Sequence, residues 1–108
     1  MTTTIQQLDG ALVAVFEGRL DTAAAPQCEQ DLKPLADCAG RDIVLDCTNL
    51  QYISSSGLRL FLGVLKMAKP QGSHVYITGM NTDLRNVFTM TGFINLFEFK
   101  DKPEPSEQ

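Results

Sequence analysis

Residues 42 to 47, DIVLDC, limit most what this chain can fold into. The segment is a short apolar run of the kind buried on both faces of a parallel sheet. The rest of the chain supplies the alternation such a sheet needs. Residues 4 to 8 and 11 to 17 predict two strands joined by Asp9-Gly10, a dipeptide whose readiness for positive φ suits a tight hairpin. Asp21 or Thr22 is placed to cap a helix from about Ala23 to Cys38, with Pro26 tolerated in its first turn. Pro34 should kink or split that helix near Lys33, because it removes a backbone donor and clashes with the preceding turn. After the 42 to 47 strand and a loop comes a serine triplet that opens a helix to about Lys69, ended by Pro70 and Gly72. Residues 74 to 79 predict a further strand, Thr82 to Thr91 a short helix stopped by Gly92, and Leu96 to Phe99 a last edge strand. A hairpin followed by alternating helices and strands implies an α/β fold, a mixed sheet covered by helices.

Length and charge narrow the function. With 108 residues the chain is one domain with a single modest core, here assigned to residues 1–100, and the polar tail DKPEPSEQ, 101–108, is expected to be mobile. No apolar run approaches the roughly 20 residues that span a bilayer, so no membrane insertion is expected. The N-terminus, MTTTIQQLDG, has neither a basic start nor an apolar stretch, which argues for the cytoplasm. Cys28, Cys38 and Cys47 are odd in number and lack C-x-x-C spacing. They are expected to be small core fillers in a reduced compartment, neither a disulfide framework nor a metal site. A formal charge of -4 disfavours direct nucleic-acid binding, which needs a basic stripe. Another protein is the expected partner.

The helix after the serines carries more apolar surface than one core needs. At ~100° per residue, Leu58, Phe61, Leu62, Leu65 and Ala68 fall on one face, which should pack on the sheet. Leu60, Val64 and Met67 form a second stripe. Either a loop or the helix at 82 to 91 covers it, or a partner does.

Ser54, Ser55 and Ser56 pose a separate problem, since one hydroxyl suffices to cap a helix. Three residues after them stand Gly57, Leu58 and Arg59, so no Glu or Gln completes a capping box. A nucleophilic serine needs a base, and the one histidine, His74, belongs to the start of the next strand. The G-x-S-x-G elbow is missing, as is a Gly-rich phosphate loop followed by Lys. The residues therefore point away from an enzyme and call for no cofactor.

From Ile43 to Leu65, with Asp46 and then Tyr52-Ile53-Ser54-Ser55-Ser56-Gly57-Leu58-Arg59, the chain resembles the STAS domain, specifically the bacterial anti-sigma factor antagonists. Gly18-Arg19-Leu20-Asp21 looks like the family's G-x-L-D segment, and Val87 to Phe97 like its closing helix and turn. The resemblance implies a regulatory module whose unmodified form binds an anti-sigma factor and frees a sigma factor. It implies that the serine two residues before the glycine, here Ser55, is phosphorylated by that anti-sigma factor, which is also a serine kinase supplying the ATP chemistry. A PP2C-type serine phosphatase would reverse the modification. Many members carry Asp immediately before the acceptor where this chain has Ser54, which makes Ser54 and Ser56 secondary acceptors. Asp21, Ser54, Ser56, Gly57, Leu60, Val64 and Met67 are the expected partner-binding residues. The alternative is a STAS subunit of a larger assembly, a lipid transporter or stress-signalling scaffold, without phosphoswitching.

Overall fold

The computed structural model describes residues 1–8 and 10–100; Asp9 of the expected hairpin turn and the tail from residue 101 lie outside them. Strands β1 (Thr2–Leu8) and β2 (Ala11–Leu20) pair antiparallel around Gly10, whose φ of 76° is the left-handed conformation a tight turn requires. Helix α1 (Ala25–Asp31) and a 3-10 turn (Lys33–Asp37) lead to β3 (Asp42–Ile53). Helix α2 (Ser55–Ala68), β4 (Val75–Thr78), α3 (Thr82–Thr91), a 3-10 turn (Phe93–Asn95) and β5 (Glu98–Lys100) complete the described chain.

The sheet runs in the order β1-β2-β3-β4-β5, with every pair after the hairpin parallel. Each parallel strand is thus added on the same side of the one before it. Right-handed crossovers repeated in one direction place all their helices on one face of the sheet. Burial follows this geometry. Leu12, Ala14, Phe16, Ile43, Leu45, Cys47, Val75 and Ile77 are each at most 2% exposed. Val13, Val15, Val44, Asp46 and Tyr76, which alternate with them, are only half-buried. Val13, Val44 and Tyr76 stand side by side in register on that open face. The expectation that the 42 to 47 run is buried on both faces is therefore corrected: apolar Val44 belongs to an uncovered face.

Strand β3 also runs past Cys47, where a loop was expected. Its later buried residues are Leu50 and Ile53, spaced by three rather than two. The cause lies in the pairing with β2, whose register shifts between Val15 and Glu17 and again between Gly18 and Arg19. Such irregularities break the alternation by which strands are recognised. Asp46 holds the bend from the side, its Oδ1 accepting from the Thr48 backbone N–H at 3.0 Å and from the Thr48 hydroxyl at 2.6 Å.

The first helical segment splits as Pro34 requires, at Leu32, between α1 and the 3-10 turn. Asp21 does organise its start, although one turn early. The Asp21 Oδ1 accepts from Ala24 N–H at 2.9 Å, and its carbonyl accepts from Ala24 and Ala25 N–H, each at 3.1 Å.

Helix α2 packs Leu58, Phe61, Leu65 and Ala68 into the core. Phe61 lies at the centre of an aromatic cluster, its ring 5.1 Å from Phe16, 6.1 Å from Phe88 and 6.5 Å from Phe97. Two assignments on this helix are corrected. Leu62, expected in the core, is half-buried, and Val64, expected on the outer stripe, is 5% exposed. The apolar arc is centred on Phe61 and Leu65, which turns Val64 inward and Leu62 to the margin. Cys28, Cys38 and Cys47 are buried free thiols packed in the core, and burial pushes the Cys28 and Cys47 thiols above the ordinary range.

Candidate functional site at the start of helix α2

The three serines divide between two tasks. Ser54 follows directly on β3, with extended φ and ψ of −90° and 173°. Its Oγ accepts from Gly57 N–H at 3.2 Å and its carbonyl from Leu58 N–H at 2.9 Å, the geometry of an N-cap. Its own N–H donates to the Leu20 carbonyl at 2.9 Å, which fastens the helix start to the end of β2. Ser54 is 8% exposed and its hydroxyl is engaged. Ser55 is exposed in the first position of the helix, and Ser56 is half-buried.

Gly57 explains why the helix begins so close to the sheet. A Cβ at this position would lie 2.7 Å from Ile53 Cγ1 and 2.8 Å from Leu20 Cγ. Both neighbours are core side chains, 4% and 0% exposed, with no room to yield. Glycine thus lets the first turn rest on the ends of β2 and β3, and this support presents Ser55 outward. Asp21 continues from Leu20, so its loop borders the same helix start.

The outer stripe is partly covered, by α1 and its 3-10 turn rather than by the helix at 82 to 91 that was one of the alternatives. The helix at 82 to 91 packs against β3 and the following 3-10 turn, whereas α1 and its 3-10 turn lie alongside α2. A groove remains between them. Its lower part, about 290 Å³, is walled by Leu32 and Ala36 on one side and by Leu60, Gly63, Val64 and Met67 on the other. Its upper part, about 450 Å³, extends past Pro26 to Ser56, and Glu29, Arg59 and Leu60 border both. The structure thus brings together Ser56, Leu60, Val64 and Met67, with Val64 forming the floor. Gly57, also expected to bind the partner, is buried, its N–H is taken by the Ser54 cap, and it lines neither part of the groove. The α1 side of the groove, including Glu29, Leu32 and Lys33, was not among the expected site residues. The apolar spacing of Ala25, Cys28, Leu32 and Leu35 was the signal available, but it marks the core face, and of these four only Leu32 also reaches the lower part of the groove.

His74 stands elsewhere. Its backbone carbonyl accepts from Ile43 N–H, ten residues down β3 from Ile53, and its Nδ1 lies 3.1 Å from Glu98 Oε2. A base at that end of the sheet cannot serve a serine at the start of α2. No helix among the described residues is long and apolar enough to cross a membrane.

Comparisons with known proteins agree with this architecture. The STAS domain family model matches residues 2–106. BtrV of Bordetella bronchiseptica, a candidate anti-sigma factor antagonist, is 34% identical over 104 residues, which cover 96% of this chain and 90% of BtrV. The anti-sigma-B factor antagonist of Staphylococcus aureus is 32% identical over 87 residues, 81% of each chain. Among solved structures, the Bacillus cell fate determinant SpoIIAA in its phosphorylated form superposes with a TM-score of 0.72 at 19% identity, covering 95% of this chain and 93% of that one. With a matching family model, relatives above the 30% level along most of their length, and a fold shared with SpoIIAA, the chain belongs to the STAS-domain family of anti-sigma factor antagonists.

Proposed function

We propose that the unmodified chain binds a cognate anti-sigma factor through the start of α2, thereby freeing a sigma factor, and that phosphorylation of Ser55 by that same anti-sigma factor ends the binding. A PP2C-type serine phosphatase restores the active form. The observation that carries this reading is the division of labour among the serines. Ser54 is spent on the cap, so Ser55 is an exposed hydroxyl whose modification costs the fold no hydrogen bond. The SpoIIAA fold, solved in phosphorylated and unphosphorylated forms, gives the reading independent support.

The energetics favour a switch that acts on binding and spares folding. A phosphate in the first turn of a helix lies near unpaired N–H groups and the positive end of the dipole, gaining roughly 0.3 to 2 kcal/mol. Phosphorylation adds about 1.5 to 2 negative charges. Covered by a partner and left unpaired, such a charge costs about 3 to 5 kcal/mol. The second effect exceeds the first, and affinity falls roughly 10- to 1,000-fold. Of the secondary acceptors, Ser56 is the more accessible, since the Ser54 hydroxyl is buried in the cap.

The test is incubation of the chain with its anti-sigma factor and ATP. Incorporation of phosphate should be abolished in Ser55→Ala. Undiminished labelling of that variant would move the acceptor to Ser56.

A further inference from the structure

Gly63 lies in the interior of α2, exposed, eight residues after the helix starts at Ser55. Glycine in a helix interior is disfavoured relative to alanine, because it loses more backbone freedom on folding. Elsewhere in this helix the choice has a reason within the chain. At Gly57 a Cβ would collide with Leu20 and Ile53. At Gly63 a Cβ would meet nothing within 4 Å, and the position has no positive φ. Folding of this chain would accept alanine there.

What Gly63 does shape is the groove. It interrupts the wall formed by Leu60, Val64 and Met67 and exposes bare helix backbone opposite Leu32 and Ala36. The absence of a side chain matters most where another backbone must come close. We propose that Gly63 is a docking notch, the point at which an α-helix of the anti-sigma factor crosses α2 at close range while lying in the groove between α1 and α2. This rests on the binding role proposed above and adds to it α1 and a defined crossing point.

Two features select that occupant. The two parts of the groove adjoin at Glu29, Arg59 and Leu60, and along α2 their linings reach from Ser56 to Met67, a span of about 16 Å at helical rise. A helix of three turns fills that length, and its upper end would cover the turn that carries Ser55. The rim is also charged in a way that fits the switch. The lower part is lined by Lys33 and Arg59 against the single carboxylate of Glu29, a net positive border on a chain of formal charge -4. It would receive a partner helix with an apolar stripe and acidic flanks.

The test pairs Gly63→Ala with Gly63→Leu, using the purified anti-sigma factor of the same organism as the probe in titration calorimetry and thermal unfolding of each free variant. Gly63→Ala should hold or raise the unfolding midpoint by a few degrees and weaken binding at least about tenfold. Gly63→Leu should weaken it further while remaining folded. A stability gain coupled to an affinity loss is a result that a merely structural glycine would not give. Wild-type affinity retained by folded Gly63→Leu would overturn the notch and leave the binding role intact. Failure of the wild-type chain to bind at all would overturn both. Sedimentation of the free chains covers the remaining occupant: self-association of the wild type that Gly63→Leu abolishes would assign the groove to a second copy and overturn the proposal.

Discussion

At the scale of single residues, the serine triplet separates structural from regulatory chemistry within one helical turn. Ser55→Asp supplies about one charge and lacks the three phosphate oxygens. It should therefore weaken anti-sigma factor binding less than phosphorylation does, and should leave thermal unfolding nearly unchanged. Ser54→Ala should behave oppositely, costing about 1 kcal/mol of stability through loss of the cap. Comparing the melting of both variants with their affinities separates the two roles, and a large drop in melting temperature for Ser55→Asp would remove the basis of the switch. The cysteines carry a second residue-level consequence. Burial raises the Cys47 thiol above its ordinary range, with a smaller contribution from the charge of Asp46. The unfolded thiol ionises first as pH rises, so the stability tied to the neutral buried form is complete below the unfolded pKa and declines above it. Above about pH 9 the loss attributable to Cys47 approaches about 1.4 kcal/mol per pH unit. Urea unfolding at pH 8 and pH 10 should show that slope reduced in Cys47→Ala, even though the substitution lowers stability at both pH values. Much at this scale was legible in the sequence. A buried thiol and a helix-opening hydroxyl are set by neighbours close in the chain, whereas the contact of Gly57 with Leu20 depends on a strand 37 residues earlier.

At the scale of elements, α2 serves two surfaces at once, and the boundary between them was the least legible feature of the sequence. Periodicity identified an apolar arc but could not locate its centre. Val64 turned inward and Leu62 moved to the margin because the arc is centred by contacts of Phe61 with Phe16, Phe88 and Phe97, which come from three other segments. The extension of β3 was hidden for a related reason, since a register shift against β2 replaced alternation by a spacing of three. Adjacent positions on α2 provide the sharpest test of the boundary. Leu60→Gln acts on a half-buried groove residue and should cost under about 1.5 kcal/mol of stability while weakening partner binding by about 2 kcal/mol. Phe61→Ala empties the centre of the aromatic cluster and should cost about 3 to 5 kcal/mol of stability. If Leu60→Gln proved as destabilising as Phe61→Ala, and the folded remainder bound normally, the groove would be part of the core and the partner surface would lie elsewhere.

At the scale of the whole molecule, the strand order explains why the two sides of the sheet differ. Adding each parallel strand on the same side confines α1, α2 and α3 to one face, so a single apolar layer between helices and sheet supports the fold. The α/β class and the succession of elements were legible because each depends on local pattern. Which face was covered was marked only weakly: Asp42 and Asp46 share a face with Val44, an alternation that the apolar run Ile43-Val44-Leu45 between them obscures. Neighbouring residues of β3 therefore make the last prediction. Leu45 is 0% exposed beneath the helices, while Val44 is half-buried on the open face between Val13 and Tyr76. Leu45→Ala should cost about 2 to 5 kcal/mol, the range for a cavity in a packed core. Val44→Ala leaves a surface depression that water fills and sacrifices some strand propensity, so its cost should stay near about 1 kcal/mol. Urea unfolding of the two variants, with equal m-values as the check that both unfold from the same native state, decides the point. Equal losses at 44 and 45 would mean that the second face is covered in solution, and a one-sided sheet would then be the wrong description of the molecule.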